Sequence, residues 1–277
     1  MVMRRWGRGV GLVTLLLAFL SAAVAASAAT TPEIVKSRGK LLVGVKYDTP
    51  PFGFVDKDGQ VAGFDVDILR EVAGVLGVGI DFVKVTSQTR IPLLVSGNVD
   101  LVAASMTHTR EREKAIDFSI TYYTGAQALL VPEGSKITGL ADLAEKTVAV
   151  QQGTTLERNL AQLAPKATVL PFRDYTSAWL AVRQGRADAL TGSYDIMRGF
   201  IATAQGDKAQ ADKGFKIVGP RFSVEPFGIG VRRGDADMRN VVNAVLQDLW
   251  TSGRYRELYV KWFKIDPGIP IEMWPKE

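Results

Sequence analysis

The sharpest change from apolar to polar positions lies in residues 98–119, NVDLVAASMTHTREREKAIDFS. Residues 99–104 form a short apolar run containing one Asp, which is typical of a strand buried on both faces of a parallel sheet. Small polar residues follow, and residues 110–115 are a charged run of helix formers with a Thr available to cap it. The pattern predicts a strand, a tight polar turn and the start of a helix.

This predicted turn is suited to binding an anion. In open α/β sheets, ligands bind beyond the carboxyl ends of the strands, and the start of a helix offers unpaired backbone N–H groups. Arg112 lies about one turn into the helix, where its guanidinium could donate two parallel hydrogen bonds to a carboxylate. The competing interpretation is that residues 110–114 are only a solvated helix face.

Two strand-and-turn patterns occur twice along the chain. GKLLVGVKYDT (39–49) resembles EKTVAVQQGTT (145–155), and GNVDLVAAS (97–105) resembles GRADALTGS (185–193), with Asp at the same offset in the second pair. A helical pattern at residues 64–76 lies between the first two of these segments, 39–49 and 97–105. Helical patterns at 156–163 and 175–183 lie between their counterparts, 145–155 and 185–193. The repetition in the same order predicts two similar α/β lobes, each with a small, mostly parallel sheet and helices between the strands.

Two extended runs connect the predicted lobes. Residues 126–131 are apolar and stop at PEG, and residues 225–231, EPFGIGV, follow lobe two. Two crossings imply that the chain returns to lobe one, which predicted helices at 237–249 and 255–263 would complete. Two lobes joined by a pair of strands form a hinge with a cleft between them. The predicted boundaries are 29–131 and 226–277 for lobe one, and 132–225 for lobe two.

Residues 1–28 have the pattern of a secretory signal peptide. Arg4, Arg5 and Arg8 precede an apolar core at 10–20, and small residues up to position 28 supply a cleavage site. The apolar core is too short for a comfortable membrane span, so we expect export to the periplasm followed by cleavage. Loss of the three arginines lowers the formal net charge from +5 to +2, which leaves little support for a nucleic-acid partner.

The composition excludes several kinds of chemistry. There is no Cys and only one His, so disulfides, Cys nucleophiles, thiolate metal sites and His-rich metal sites are ruled out. The sequence has no nucleophile elbow, P-loop or GxGxxG motif. After the signal peptide about 250 residues remain, enough for one large domain or two of ordinary size. We therefore expect no metal, no cofactor and no catalytic residue.

As an ordered set, the motifs of the chain resemble the family 3 extracellular solute-binding proteins, which deliver amino acids to ABC importers. The motifs are GKLLVGVKYDTPPFGF, GFDVDIL, VTSQTRIPLL, MTHTREREKAIDFS, KTVAVQQGTT, GRADAL, EPFGIGVRRGD and GRYRELYVKWF. Among them TSQTRIPLL, with the tail DPGIPIEMWP, is most similar to the glutamate/aspartate-binding branch. The resemblance implies a two-lobed periplasmic-binding-protein fold of type II, a monomer without enzymatic activity, and a membrane permease as partner.

The resemblance also implies where the ligand's α-carboxylate binds. Ser105, Thr107 and Arg112 match the Ser/Thr/Arg clamp of the family, which agrees with the anion site expected from the strand and turn pattern. Thr154 and Thr155, in the QQGTT turn, would face the cleft from lobe two. The ligand implied is a small amino acid or carboxylate.

A second cationic site is implied for an acidic ligand side chain. It would consist of Lys46, Ser87 and Arg90, although Lys46 and Arg90 could equally be surface charges. Phe52, which lies among prolines with other aromatic residues, is expected in the wall of the cleft, with ordinary core packing as the alternative. The predicted ligand is therefore a polar or acidic amino acid, similar to glutamate or aspartate, bound by closure of the lobes.

Two positions depart from the family pattern. Ser193 lies where most relatives have an aspartate that pairs with the ligand's α-ammonium, and Tyr175 lies where the acidic-ligand branch has a histidine. A neutral Ser would leave a buried ammonium without a charged partner, which is costly. Either the ligand lacks a strongly recognised ammonium, or Asp195 or Asp48 holds it.

A secreted lyase is the rival function. A few proteins that resemble this family are periplasmic dehydratases acting on cyclohexadienyl acids. Such an enzyme would need a carboxylic acid in the cleft with a raised pKa, for example Glu157 or Asp195, as its proton donor. Asp65 and Asp67 also look like a carboxylate pair, but they precede a helical run and are attributed to capping and the helix dipole.

Overall fold

The structure, a computed structural model, describes residues 31–206 and 214–267. The predicted signal peptide and its cleavage site lie outside the described residues, as does most of the proline-containing tail. Within the described ranges, no helix is both long and apolar enough to cross a membrane.

Strands and helices alternate along most of the described chain. In the first half the elements are α1 (Thr31–Arg38), β1 (Lys40–Val45), β2 (Asp48–Thr49), β3 (Gly53–Val55), β4 (Val61–Ala62), α2 (Phe64–Leu76), β5 (Gly79–Lys84), α3 (Arg90–Val95), β6 (Leu101–Val102), α4 (Arg110–Glu113), β7 (Ile116–Phe118) and β8 (Tyr123–Gly125). In the second half they are β9 (Gln127–Pro132), a short 3-10 helix (Leu140–Leu143), β10 (Thr147–Gln151), α5 (Thr155–Leu163), β11 (Thr168–Phe172), α6 (Tyr175–Arg183), β12 (Ala189–Ser193), α7 (Tyr194–Gly206), β13 (Phe215–Val218), β14 (Glu225–Phe227), β15 (Gly230–Arg232), α8 (Ala236–Thr251) and α9 (Arg254–Phe263).

Each lobe contains one mixed sheet of the same design. The sheet of lobe one has the order β5-β1-β6-β15-β7, and that of lobe two has the order β11-β10-β12-β9-β13. In both, the first three strands are parallel, and the next strand, which connects to the other lobe, runs antiparallel to its neighbours. The two-lobed α/β fold predicted from the repeated patterns is confirmed.

The Asp shared by the two repeated patterns has the same structural role in each lobe. Asp100 accepts a hydrogen bond from the backbone N–H of Leu42 at 2.9 Å, and its own N–H donates to the Leu42 carbonyl. Asp188 accepts from the N–H of Thr147 at 2.8 Å and donates to the Thr147 carbonyl. In each lobe the Asp therefore satisfies backbone groups at the start of the neighbouring parallel strand, which explains why the residue recurs at one offset.

The helices predicted from apolar periodicity occur at the expected places. Helix α2 has the predicted bounds, buries one apolar face, and ends at Gly77, whose φ of 69° is in the left-handed region. The helices at 156–163, 175–183, 237–249 and 255–263 are also present, within two residues at each end. The predicted strand at 99–104 is shorter, because only β6 pairs in the sheet, although all six residues are buried.

The boundary between the lobes differs from the sequence expectation. The sequence pattern predicts residues 126–131 as the end of lobe one, but β9 pairs with β12 and β13 and so lies inside the sheet of lobe two. The crossings are β8 and β14, which pair antiparallel with each other between the lobes. A central strand is apolar because it is covered on both faces, so its composition could not tell which sheet it joins.

Candidate functional site

A small cavity lies between the lobes, beyond the carboxyl ends of their parallel strands. Its volume is about 330 Å³, open solvent at its mouth included. It is lined by both lobes and by β14: Lys46, Ser87, Arg90, Ser105, Thr107, Arg112, Gln151, Thr154, Thr155, Leu156, Tyr175, Ser193, Ile196, Glu225 and Phe227. Ten of the thirteen predicted ligand-binding residues are in this lining, and Asp48, Phe52 and Asp195 are not.

Arg112 is held over the cavity by the turn that precedes it. Thr109 caps α4 by accepting a hydrogen bond from the backbone N–H of Arg112 at 3.2 Å, as the sequence predicted for a Thr at this position. The guanidinium donates to the Thr107 carbonyl at 2.6 Å and, across the cleft, to the Gly153 carbonyl at 3.4 Å. Burial lowers the pKa of Arg112 to about 10, so the side chain stays charged at neutral pH.

The carboxylate of Asp65 holds the backbone of the turn at Ser105 in place. Ser105 has a φ of 47°, in the left-handed region, and its N–H donates to Oδ2 of Asp65 at 2.9 Å. Asp65 also accepts from the Tyr122 hydroxyl at 2.7 Å, and burial raises its pKa to about 6. Asp65 therefore supports the ligand turn rather than capping α2, while the Ser105 hydroxyl lines the cavity without a hydrogen-bond partner among the described residues.

Lys46 lies at the end of the cavity between β1 and β10. Its ammonium donates to the Ser87 hydroxyl at 2.8 Å and to Oε1 of Gln151, and lies 5.2 Å from the centre of the Tyr175 ring. Burial lowers the pKa of Lys46 to about 7, and the nearby charge of Arg90 acts in the same direction. The partners of Lys46 are neutral, so an anionic ligand group in this place would gain a charged donor.

Arg90 is a second buried cation at this end. It is 2% exposed, and its Nη1 donates to the carbonyl of Ala104 at 2.7 Å and to that of Ser105 at 3.5 Å. Its Nε has no partner among the described residues, and burial lowers its pKa well below the usual value. Backbone carbonyls satisfy donors but do not neutralise the charge, so Arg90 adds positive potential to the cavity.

The wall contributed by lobe two is mostly neutral and polar. Thr154 caps α5 by accepting from the N–H of Glu157 at 3.2 Å, and Thr155 follows as the first helical residue. Tyr175 is buried against the cavity, and burial raises the pKa of its phenol, which stays neutral. The Ser193 hydroxyl is buried in the lining and has no hydrogen-bond partner within the described ranges.

Two polar residues of the lining were missed by the sequence interpretation. Gln151 ends β10 and accepts from both Lys46 and Ser87. Glu225 begins β14 and accepts from the hydroxyls of Thr107 and Thr155. Glu225 belonged to a motif that was interpreted only as a crossing strand, and nothing local in EPFGIGV indicates that its first side chain turns into the cleft.

The three predicted residues outside the lining have other partners. Phe52 is fully buried in an aromatic cluster, with Tyr123 at 4.9 Å and Phe263 at 5.3 Å between ring centres, which is the core-packing alternative. Asp48 accepts a hydrogen bond from the backbone N–H of Tyr175 at 2.8 Å, at the rim of the cleft. Asp195 accepts from the Tyr123 hydroxyl at 2.5 Å, behind the cavity. Neither carboxylate is brought to the position where it could pair with a ligand ammonium.

Direct contacts across the cleft show that the lobes are closed. Arg112 bonds to the Gly153 carbonyl, Asp48 bonds to the Tyr175 N–H, and the Gln152 amide donates to Oε1 of Gln88 at 2.9 Å. These contacts cover the cavity, and Lys46, Arg90 and Glu225 are buried in its lining, where electrostatic interactions are stronger than in water.

The two acids considered as proton donors for the rival lyase lie outside the cavity lining. Glu157 accepts from the backbone N–H of Gly153 at 2.8 Å and does not line the cavity, and neither does Asp195. His108 bonds Glu113 at 2.7 Å and stacks on Phe118, away from the lining. Among the described residues, no group of three His, Cys, Asp or Glu side chains is placed to hold a metal ion.

Comparison with known proteins gives a consistent result. The sequence pattern of the bacterial extracellular solute-binding proteins, family 3, matches residues 41–265. The ABC transporter glutamine-binding protein GlnH of Bacillus subtilis is 39% identical over 86% of this chain and 86% of its own length. The L-glutamate/L-aspartate-binding protein of Pseudomonas aeruginosa is 31% identical over 89% of this chain and 84% of its own.

The fold has a close match among solved structures. An ancestral arginine-binding protein bound to glutamine has a TM-score of 0.77 and 38% identity, covering 82% of this chain and 99% of its own. The relatives thus include proteins named for glutamine, for arginine and for glutamate with aspartate, and the comparisons do not single out the glutamate/aspartate branch predicted from the sequence.

Proposed function

The chain belongs to the bacterial extracellular solute-binding proteins of family 3, and from this premise we propose that it binds an acidic amino acid, such as glutamate or aspartate, by closing its lobes around it. In this proposal the exported protein acts as a monomer in the periplasm and delivers the ligand to the membrane permease of an ABC importer. Neither a cofactor nor a metal takes part.

The observation that carries the proposal is the excess of positive charge around the cavity. Lys46, Arg90 and Arg112 line it, and the carboxylate in the lining is Glu225. An α-carboxylate at Arg112 and a side-chain carboxylate near Lys46 and Arg90 would each receive charge-assisted hydrogen bonds. A ligand with a basic side chain would instead bring a third like charge towards two buried cations, which disfavours arginine and lysine.

Glutamine is the second candidate. The glutamine-binding relative from Bacillus subtilis is 39% identical, and a pKa near 7 allows Lys46 to be a neutral amine in part of the population. A neutral Lys46, together with Ser87 and Gln151, could exchange hydrogen bonds with a carboxamide as readily as with a carboxylate. The two candidates differ in one group of the ligand, so their relative affinities decide between them.

A thermal-shift panel on the mature protein tests the proposal. A ligand that binds only the folded state raises the unfolding midpoint in proportion to its affinity and concentration. We expect the largest shifts from L-glutamate or L-aspartate, a smaller one from L-glutamine, and none from L-arginine. Shifts from arginine alone, or from no amino acid in the panel, would contradict the proposal.

The rival lyase is tested with the same samples. Each panel member is incubated with the protein and its concentration is followed by chromatography over hours. We expect every ligand to be recovered unchanged, because Glu157 and Asp195 lie outside the lining, and Glu225, the carboxylate that lines it, accepts hydrogen bonds from Thr107 and Thr155. Catalytic loss of a cyclohexadienyl acid would favour the enzyme.

Export is tested on the secreted protein itself. We expect the intact mass to correspond to a chain that begins between Ala26 and Thr30, because the small residues there follow an apolar core. An exported protein that still carries Met1 would contradict cleavage.

A further inference from the structure

A buried acid lies on one of the two strands that join the lobes. Glu225 is the first residue of β14, which pairs with β8 in the crossing between the sheets. Its side chain points into the ligand cavity and the residue is only 3% exposed. A buried carboxylate must be matched by donors or by a positive charge, so its partners indicate what it can do.

The partners of Glu225 come from both lobes. Its Oε2 accepts from the hydroxyl of Thr107, in lobe one, at 2.7 Å, and from that of Thr155, in lobe two, at 2.6 Å. Its Oε1 accepts from the amide of Asn159 at 3.1 Å. An ionised carboxylate has about four acceptor positions, and these three neutral donors leave capacity for one more partner.

No salt bridge to Glu225 exists among the described residues, although Arg112 is close enough to interact electrostatically with it. The carboxylate thus lies, without a salt-bridge partner among those residues, in the same cavity as the proposed site for the ligand's α-carboxylate. An α-amino acid carries a positive and a negative group on one carbon, so a carboxylate and a guanidinium that line one cavity match these two groups.

The other acids near the cleft already accept hydrogen bonds from groups of the protein. Asp48 holds the backbone N–H of Tyr175, Asp195 holds the hydroxyl of Tyr123, and Asp65 supports the turn at Ser105. The Ser193 hydroxyl does face the cavity, but it is neutral. Among the described residues of the lining, Glu225 is therefore the carboxylate able to meet an ammonium.

Given the proposed amino-acid ligand, on which this inference rests, we propose that Glu225 receives the ligand's α-ammonium. The same carboxylate joins Thr107 of one lobe to Thr155 of the other, so the ammonium binds where the closed arrangement of the lobes is itself held together. Recognition of the ammonium then favours the closed lobes, because the ligand and both lobes share one acceptor group.

The test compares ligands that differ only in the ammonium. L-glutamate is compared with glutarate, and L-glutamine with its α-deamino analogue, by calorimetry on the wild-type protein and on Glu225→Gln. A charge-assisted hydrogen bond accounts for about 10- to 100-fold in affinity. We expect Glu225→Gln to lower the affinity for the two amino acids by this factor. Its affinity for the two deamino analogues should be unchanged or higher.

Two further variants separate ammonium binding from a structural role. Glu133→Gln is the matched control, since Glu133 is an exposed acid of lobe two outside the cavity, and it should change no affinity. Ser193→Asp, added to Glu225→Gln, should recover part of the affinity for the amino acids only, because it returns a carboxylate to the lining. Should Glu225→Gln fail to fold, Glu225→Asp keeps the charge and should weaken the amino acids selectively.

Two outcomes would overturn this inference alone. One is that Glu225→Gln lowers the affinity for glutamate and for glutarate by the same factor, which would mean that Glu225 only stabilises the contact between the lobes. The other is an unchanged affinity for glutamate and glutamine. A wild-type protein that binds neither amino acid would instead contradict the proposed function.

Discussion

We predict that Lys46 makes the affinity for an acidic ligand depend on pH. Its ammonium is buried between Ser87 and Gln151, and burial lowers its pKa to about 7. Arg90 and Arg112 lower this pKa further, whereas Asp48 and Asp65 raise it. Without ligand, a rise in pH through neutrality therefore removes the positive charge that a side-chain carboxylate would meet.

The direction and size of the effect follow from this pKa. An anionic ligand group stabilises the charged form, so the pKa of Lys46 is higher in the complex and ligand binding takes up a proton above pH 7. The charged fraction falls from about 90% at pH 6 to about 3% at pH 8.5, and the apparent dissociation constant rises as the inverse of that fraction, by about 30-fold. The side-chain carboxylate of glutamate, with a pKa of about 4.3, stays ionised throughout.

Calorimetric titration measures both quantities. L-glutamate is titrated between pH 6 and 8.5 in buffers that differ in ionisation enthalpy, so that the number of protons taken up is counted directly. L-glutamine serves as the control ligand, because it shares the α-amino and α-carboxyl groups but has a neutral side chain. We expect a strong pH dependence with glutamate and a much flatter one with glutamine.

Variants locate the proton on Lys46. Lys46→Gln should bind glutamate weakly with a flat pH profile, whereas Lys57→Gln, which alters an exposed lysine far from the cavity, should behave as wild type. Identical profiles for glutamate and glutamine in the wild-type protein would refute the reasoning. So would a pH dependence that survives in Lys46→Gln.

Two other substitutions test the carboxylate clamp and the closure of the lobes. Arg112→Ala should weaken amino-acid binding by about 3 kcal/mol or more, because a buried carboxylate of the ligand loses its charged partner. The control Arg110→Ala, at an exposed position of the same helix, should leave the affinity unchanged. An unchanged calorimetric dissociation constant for Arg112→Ala would contradict the clamp. Gly199→Ala would place a methyl group 2.7 Å from the Pro50 carbonyl across the cleft. The Gly199→Ala variant should therefore have a lower affinity for every ligand by the same factor. Gly134→Ala, where a methyl group meets open space, should leave the affinities unchanged. Loss of affinity for one ligand only would argue against a general effect on closure.

Much of the fold was predictable because the signals that specify it are local. The apolar run before Ser105, the Thr109 cap and the periodicity of α2 each act over a few residues, and the structure reproduces them. The recurring Asp at positions 100 and 188 indicated equivalent strands, since the same backbone bonds are made in both lobes. The resemblance then located the cationic positions.

What the sequence could not indicate depends on contacts between distant segments. Phe52 was expected in the cleft, yet it packs on Tyr123 and Phe263, since an aromatic residue among prolines suits either place. Asp48 and Asp195 were expected near the ammonium, but a backbone N–H and a phenol engage them.

Glu225 shows the same limit from the opposite side. The residue lies more than a hundred positions from Thr107 along the chain, and the crossing of β8 and β14 brings them together. That contact cannot be predicted from the spacing of residues along the sequence. The segment that contains Glu225 was therefore predicted only to connect the lobes.

The most direct test of the account is a calorimetric titration of the mature wild-type protein with L-glutamate at pH 6.5, where Lys46 is mostly charged. We predict saturable binding of one ligand per chain, with a dissociation constant in the micromolar range or below and at least about tenfold tighter than for L-glutamine. Tighter binding of L-arginine than of L-glutamate, or no saturable heat with glutamate, aspartate or glutamine, would contradict the account.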